Sequence, residues 1–239
     1  APVLALGADG NVVVVWTARG PSAHGKSALL GADGKVVGVS HDLPSVGAIL
    51  GRAALSPMGT GYLLAWVDVA MRRVHTQVLD ASGVPVGVSS QIDAEGNARG
   101  NLDLAFTDQG GALVFDVLVD GVRPEVRLRT FSVQGVANGN EHQLTPYPDT
   151  GTRPSLVAVR GGYVLAYRSA QASARKVRVA LLDARGVSFR AADVAPVTGF
   201  DLPLVMRMSP DGEAVFLSWL DQLPDSIGHQ LQRTWIHCD

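Results

Sequence analysis

The stretch Gly162-Tyr-Val-Leu-Ala-Tyr167 decides the fold: a glycine opens a short apolar run that ends in an aromatic residue. A run of this length and composition, bounded by turn residues, indicates a β-strand rather than a helix. The same pattern recurs along the chain at residues 10–16, 61–66, 111–115 and 212–219. The chain therefore contains five copies of one unit, spaced by roughly 50 residues.

A second turn follows each of the first four aromatic residues. In the fourth unit it reads Asp183-Ala-Arg-Gly186, and its counterparts are residues 31–34, 80–83 and 132–135. A polar residue that opens such a turn can bond to the turn's own backbone, and glycine adopts the positive φ that tight hairpins require. No segment keeps a helical apolar repeat over ten residues, so the sequence predicts an all-β protein.

Four short strands in a unit of about 50 residues are typical of one blade of a β-propeller. We predict an all-β, five-bladed propeller with about four antiparallel strands per blade. The chain would form one domain over residues 1–239, with approximate blades at 1–45, 46–95, 96–148, 149–200 and 201–239. A β-sandwich has no reason to repeat at this interval, and a parallel β-helix repeats at shorter ones.

The repeated aromatic residues are predicted to pack between neighbouring blades rather than to stack on a ligand. A single blade cannot bury both of its apolar faces, so adjacent blades must cover each other. The residues concerned are Trp16, Trp66, Phe115, Tyr167 and Trp219.

The pattern is clearest between Pro154 and Gly186, and there it resembles the tandem propeller repeats of secreted or surface-anchored bacterial proteins. The resemblance covers the whole chain, but it consists of turn and packing residues. It implies the fold and a secreted, periplasmic or cell-surface location, and it implies no reaction. The chain's size is also similar to that of five-bladed lectins of the tachylectin type, although no matching sugar-binding motif occurs.

The fifth unit is shorter than the others, and its outer strand is predicted to be absent. Three outcomes follow: a three-stranded last blade, a ring completed by another chain, or a fragment of a larger propeller. The third strand, Gln230 to Ile236, would then be an unpaired and exposed edge, and a partner strand could bind at the segment from Gln230 to Asp239. Cys238, the single cysteine, lies in this segment and is a candidate for an intermolecular disulfide or a free thiol.

Composition excludes several classes of protein. Lysine and arginine (20) nearly balance aspartate and glutamate (22), so the net charge of −2 gives no general attraction to nucleic acid. No apolar run approaches the roughly 18 residues of a membrane span. The six histidines lack a metal-binding spacing, and we predict neither a metal nor a cofactor.

The longest and most varied loops join the second and third strands of each unit, so we expect a binding site on that face, around the central opening. Aligning the third strands places four basic residues at equivalent positions, as a partial ring: Lys26, His75, Arg127 and Arg178. Acidic residues, Asp42 and Asp201 among them, lie in the connections between blades. Bases and acids would pair between blades or frame a polar ligand; the alternative is a set of weak surface ion pairs.

Asp103 is predicted to lie on an innermost strand and to face the channel. With Asp42 or Asp201 it would give the carboxylate pair of a glycosidase, but nothing in the sequence fixes the separation, and no catalytic residue is assigned. We therefore favour a non-enzymatic, extracytoplasmic binding or assembly module that recognises a protein or a glycan. The alternatives are a hydrolase or lyase with carboxylates or histidines at the channel mouth, and a structural subunit of a surface assembly.

Overall fold

A computed structural model describes residues 2–7, 9–18, 24–43, 50–68, 70–92, 97–145, 147–171, 174–198, 203–222 and 229–237. These residues form nineteen β-strands and no helix. Within this part of the chain there is accordingly no helix long and apolar enough to cross a membrane. The all-β prediction is confirmed.

The strands form five antiparallel sheets, and each sheet follows the order of its strands in the chain. The first contains β1 (Val3–Leu6), β2 (Val12–Ala18), β3 (His24–Leu30) and β4 (Val36–Leu43). The second contains β5 (Leu50–Met58), β6 (Gly61–Asp68), β7 (Arg73–Leu79) and β8 (Pro85–Gln91). The third contains β9 (Asn97–Thr107), β10 (Gly110–Val119), β11 (Arg123–Phe131) and β12 (Ala137–Gln143).

The fourth sheet contains β13 (Thr150–Val159), β14 (Gly162–Gln171), β15 (Ala174–Asp183) and β16 (Ser188–Pro196). The fifth contains three strands, β17 (Leu204–Met208), β18 (Ala214–Gln222) and β19 (His229–His237). The predicted turns join the third and fourth strands; for example, the Gly186 amide donates to the Asp183 carbonyl at 2.9 Å.

Consecutive sheets pack through four apolar clusters, one at each junction from the first sheet to the fifth. At the first junction, Val13 and Val15 meet Leu64 and Trp66. The aromatic residues Phe115, Tyr167 and Trp219 occupy the next three clusters in the same way. For these four aromatic residues, the predicted packing between blades is confirmed. Trp16 belongs to none of the four clusters and is only partly buried.

The innermost strands of all five sheets line one central cavity of about 670 Å³. β1, β5, β9, β13 and β17 thus surround a channel, as the first strands of propeller blades do. The five sheets fit a five-bladed propeller whose last blade has three strands. Among the described residues, no apolar cluster joins the fifth sheet to the first, and Leu4 and Leu6 on β1 are exposed.

Candidate functional site

A polar pocket of about 390 Å³ opens at the mouth of the channel, where three neighbouring innermost strands begin. β9 contributes Asn101, Leu102 and Asp103; β13 contributes Arg153, Pro154 and Ser155; and residues 203–205 with Arg207 come from β17 and the residue before it. In each sheet the first strand is antiparallel to the second strand, so the second strands end where the first strands begin. The pocket therefore lies at the end of the channel where the long loops join the second and third strands.

Asp103 links the three strands through hydrogen bonds. One carboxylate oxygen, Oδ2, accepts from the Ser155 hydroxyl and from the Leu156 amide, both at 2.9 Å, and Oδ1 accepts from the Leu104 amide at 2.9 Å. The Ser155 hydroxyl oxygen accepts in turn from the Met206 amide on β17 at 3.1 Å. One side-chain network therefore fixes the relative positions of the third, fourth and fifth sheets at the channel.

Burial raises the pKa of the Asp103 carboxyl, while its hydrogen bonds and the nearby Arg207 guanidinium lower it by less. Arg207 itself is exposed and donates to the Met206 carbonyl at 2.7 Å. The Asp103 carboxyl group, which is fixed by hydrogen bonds, and the exposed Arg207 guanidinium group therefore line the same pocket.

The far wall of the pocket is supported by a second buried carboxylate, Asp116 on β10. Its Oδ2 accepts from the Asn101 side-chain amide at 2.6 Å, and Oδ1 accepts from the Asn101 backbone amide at 3.2 Å. The Arg153 amide also donates to Oδ2, at 3.4 Å, from a backbone with φ of 55°. Burial raises the pKa of Asp116. Since a non-glycine residue in this conformation is uncommon, the contacts of Asp116 help to hold Arg153 at the pocket.

The four predicted basic residues do occupy equivalent positions. Each one is the cross-strand partner of its sheet's repeated aromatic residue, as in Trp16 with Lys26 and Tyr167 with Arg178. None of the four lines the pocket at the channel mouth. His75 instead stacks on the ring of Trp66, with centroids 5.5 Å apart.

The acidic partners of these bases lie in the same sheet or directly before it. Lys26 contacts Asp42 at 2.7 Å, and Arg178 contacts Asp149 at 3.4 Å. Arg127 is mostly buried and pairs with Glu125 and Glu141. For these described pairs, the hypothesis of pairing between blades is wrong. Asp42 and Glu141 lie on the adjacent outer strand of the same sheet, Glu125 lies on the same strand as Arg127, and Asp149 directly precedes the sheet of Arg178. A shared ring that frames a ligand stays a prediction.

The structure does not bring Asp42 to Asp103. Asp42 lies on the outermost strand of the first sheet, exposed and bonded to Lys26 and His24, and these two bonds lower its pKa. Asp201 and Cys238 lie outside the described residues. In the described part of the chain, no group of three or more histidine, cysteine or acidic residues is placed to hold a metal ion.

Sequence reasoning identified Asp103 but missed the other polar residues of the pocket. Ser155 and Arg207 come from the first strands of the next two units, at positions that follow Asp103 at intervals of about one repeat. By strand register, Ser155 occupies the position of Asp103, each opposite the residue before the repeated aromatic, so a comparison of the innermost strands would have grouped these two. In the fifth sheet Val205 occupies that position and Arg207 lies two residues further on, so the same comparison would not have found Arg207.

A second, mainly apolar pocket of about 500 Å³ lies at the opposite end of the channel, where the innermost strands end. Leu6, Met58, Tyr62 and Phe106 line it. Burial, and second the negative charge of Asp9, raise the pKa of the Tyr62 hydroxyl. This pocket offers fewer polar groups than the one at the channel mouth.

No protein-family model and no curated protein sequence matches the chain. Among solved structures, the endo-arabinase of Bacteroides thetaiotaomicron is similar over 100% of this chain and 94% of its own, at 10% identity and a TM-score of 0.56. A protein of unknown function from Dyadobacter fermentans matches over 99% of this chain and 75% of its own, at 14% identity and a TM-score of 0.62.

A subtype N11 neuraminidase-like protein from a flat-faced bat isolate of Peru is also similar. It matches over 97% of this chain and 72% of its own, at 11% identity and a TM-score of 0.54. At these identities the likenesses show the fold alone. They place the chain among propeller-like structures, and its chemistry has to be inferred from the residues of the site.

Proposed function

We propose that this protein is a non-enzymatic propeller that binds a glycan in the polar pocket at the channel mouth. The observation that supports it most is the convergence of Arg153, Arg207 and the partly exposed carboxyl of Asp103 on one concave site, in which the buried Ser155 hydroxyl fixes that carboxyl. Such groups hydrogen-bond to sugar hydroxyls, and ligand sites are typically concave with a few fixed polar groups. The endo-arabinase and neuraminidase-like neighbours are compatible with a glycan as the ligand class.

The lining of the pocket argues for binding rather than hydrolysis. Glycosidases use two carboxyl groups, about 5 to 9.5 Å apart, on either side of the scissile bond. Among the described residues that line this pocket, Asp103 is the one carboxyl group. Asp116 is fully buried behind the wall and is occupied by the amides of Asn101 and Arg153.

A glycoside hydrolase is the second candidate, and one observation favours it. The raised pKa of Asp103 is what a general acid requires. A location outside the cytoplasm, in secreted, periplasmic or surface-attached form, is part of the proposal and is supported by the repeat resemblance. A protein ligand, and a role as a structural subunit of an assembly, stay predictions.

A glycan array tests the proposal directly. The wild-type protein is expected to bind a subset of oligosaccharides, and Arg207→Ala is expected to weaken that binding by roughly tenfold or more, as loss of a charged hydrogen bond of about 1.5–3 kcal/mol implies. Arg185→Ala is the matched control, because Arg185 is an exposed arginine that contacts Asp183 in an outer turn.

The same oligosaccharides, incubated with the protein and followed by chromatography, separate binding from hydrolysis. Intact oligosaccharides together with the Arg207 effect support the proposal. Cleaved products that disappear in Asp103→Asn would establish the hydrolase instead. Equal binding by Arg207→Ala and the wild type would reject this pocket as the site.

A further inference from the structure

The polar pocket at the channel mouth carries an excess of positive charge. Among the described residues that line it, two are arginines, Arg153 and Arg207, and one is an acid, Asp103. A third arginine, Arg99 on β9, acts electrostatically on the buried Asp116 behind the wall. The chain as a whole has a net charge of −2, so the positive excess is a local property of this pocket.

The carboxyl groups of the site are engaged by the protein itself, whereas Arg207 has donors to spare. Asp103 and Asp116 accept hydrogen bonds from neighbouring side chains and amides on both of their oxygens. Arg207 is exposed, and its Nη1 donates to the Met206 carbonyl at 2.7 Å. No other described residue accepts from this guanidinium group, which has five N–H donors. The pocket therefore offers more donors than acceptors to a ligand.

The opposite end of the channel has the opposite sign of charge. Among the described residues that line its apolar pocket, the one charged residue is Asp9. An anion in the channel is therefore attracted to the end where Arg153 and Arg207 lie and repelled from the other.

We propose that the polar pocket selects acidic oligosaccharides, in which a carboxylate or sulfate group is bound by Arg207 beside Arg153. This inference rests on the proposed glycan binding and adds the charge of the ligand to it. A guanidinium group binds such an anion through two parallel, charge-assisted hydrogen bonds, which are stronger than its bonds to a neutral hydroxyl. The Nε–Nη2 edge of Arg207 lies on the side away from the Nη1 bond to Met206 and supplies such a pair of donors.

Asp103 makes this binding depend on pH. The charged groups around it are Arg207 on β17, Arg153 on β13 and Asp116 on β10, and the described side chains of β5, at residues 53–58, include no titratable group. Burial raises the pKa of Asp103, so its carboxyl group loses its proton at a pH where the ligand anion is already ionised. The new negative charge then repels the ligand.

We therefore expect the affinity for acidic oligosaccharides to fall as the pH rises from about 5 to about 8. The affinity is expected to fall less in Asp103→Asn, which has no charge to gain at this position. Calorimetric titration at several pH values measures both.

A glycan array of matched pairs tests the charge of the ligand. Each carboxylated oligosaccharide is printed beside its carboxyl-reduced form, and sulfated oligosaccharides make up a third group. The wild type is expected to bind carboxylated or sulfated members roughly tenfold more tightly than neutral ones. Arg207→Gln keeps hydrogen-bond donors without the charge, and is expected to reduce this preference by about fivefold. Arg185→Gln, at an exposed arginine in an outer turn, is the matched control and is expected to keep it.

The outcomes separate this inference from the proposed function. A preference for either acidic group supports the inference, and the group preferred identifies the anion. Neutral forms that bind as tightly as acidic ones, with binding still weakened by Arg207→Ala, would overturn the inference and leave the glycan site intact. Failure to bind any oligosaccharide would overturn both. An affinity for acidic oligosaccharides that stays constant or rises between about pH 5 and about pH 8 would contradict the role of Asp103.

Discussion

Asp103 combines a raised pKa with three hydrogen bonds to its carboxylate oxygens. Because its pKa is higher in the folded protein than in the unfolded chain, the folded state binds this proton more tightly. Asp103 therefore stabilises the fold most at pH values below the ordinary aspartate pKa. That contribution is lost as the pH rises through the raised pKa.

We predict that the free energy of unfolding of the wild type, relative to Asp103→Asn, falls as the pH rises from about 4 to about 8. Urea unfolding at several pH values measures this difference. Asp183→Asn is the control with the opposite sign, because the Val187 amide, followed by the Arg185 side chain, lowers the pKa of Asp183. The stabilisation by Asp183 is present above the ordinary aspartate pKa of 3.8 and is lost as the pH falls below it, so this variant is compared with the wild type from about pH 5 down to about pH 2. Parallel trends for the two variants would contradict the assignment.

At the scale of single residues, the sequence predicted on which strand Asp103 lies but not which residues form hydrogen bonds with it. It predicted that Asp103 lies on an innermost strand, since the repeat pattern defines which run comes first. It did not predict the Ser155 hydroxyl as its partner, because the two residues are 52 positions apart and meet only when adjacent sheets pack. The buried Asn101–Asp116 pair was missed for the same reason.

The hairpin turns between third and fourth strands are also packing elements. Gly186 has a φ of +78°, and a Cβ placed there would lie 2.4 Å from Leu128 Cδ2 on the preceding sheet. Gly34 occupies the equivalent turn of the first sheet with a φ of +75°, and a Cβ there would meet nothing within 4 Å. The two turns therefore share a backbone conformation and differ in their surroundings.

This pair gives a matched prediction for stability. Gly34→Ala is expected to lower the free energy of unfolding by about 1 kcal/mol, the cost of a left-handed conformation for a residue with a Cβ. Gly186→Ala is expected to cost a further 1–3 kcal/mol, because the methyl group overpacks the junction with the third sheet. Urea denaturation of both variants measures the difference. Equal losses would show that the turn of the fourth sheet does not pack on its neighbour.

At the scale of strands and turns, the sequence predicted where the strands and hairpin turns lie, but it did not predict the irregular register of the outermost strands. Glycine spacing and apolar runs are local signals, so they located the turns at Gly34, Gly83, Gly135 and Gly186. The bulges at Gly38, Gly87 and Gly139 were not predicted. They depend on which outer-strand residues are left unpaired by the third strand, and that is a property of the folded hairpin.

At the scale of the whole molecule, the described residues form the same kind of apolar junction four times, between each pair of consecutive sheets from the first to the fifth. Each of sheets two to five places its aromatic residue against the sheet before it, whereas Trp16 of the first sheet is only partly buried. The open turn at Gly34 and the exposed Leu4 and Leu6 belong to the same surface of the first sheet. The repeat period predicted that consecutive sheets pack around a channel. It did not predict whether this face of the first sheet is covered, because that depends on the geometry between sheets, which no local pattern encodes.

The central channel has two ends with different chemistry, and this difference makes the proposed function testable in one spectrum. Backbone amide shifts of the isotope-labelled protein, recorded with the oligosaccharide that binds best on the array, report which end is occupied. We predict shifts at Asn101, Asp103, Ser155 and Arg207, where the three innermost strands begin. Shifts confined to Leu6, Met58, Tyr62 and Phe106, at the apolar end, would contradict the assignment of the polar pocket as the binding site.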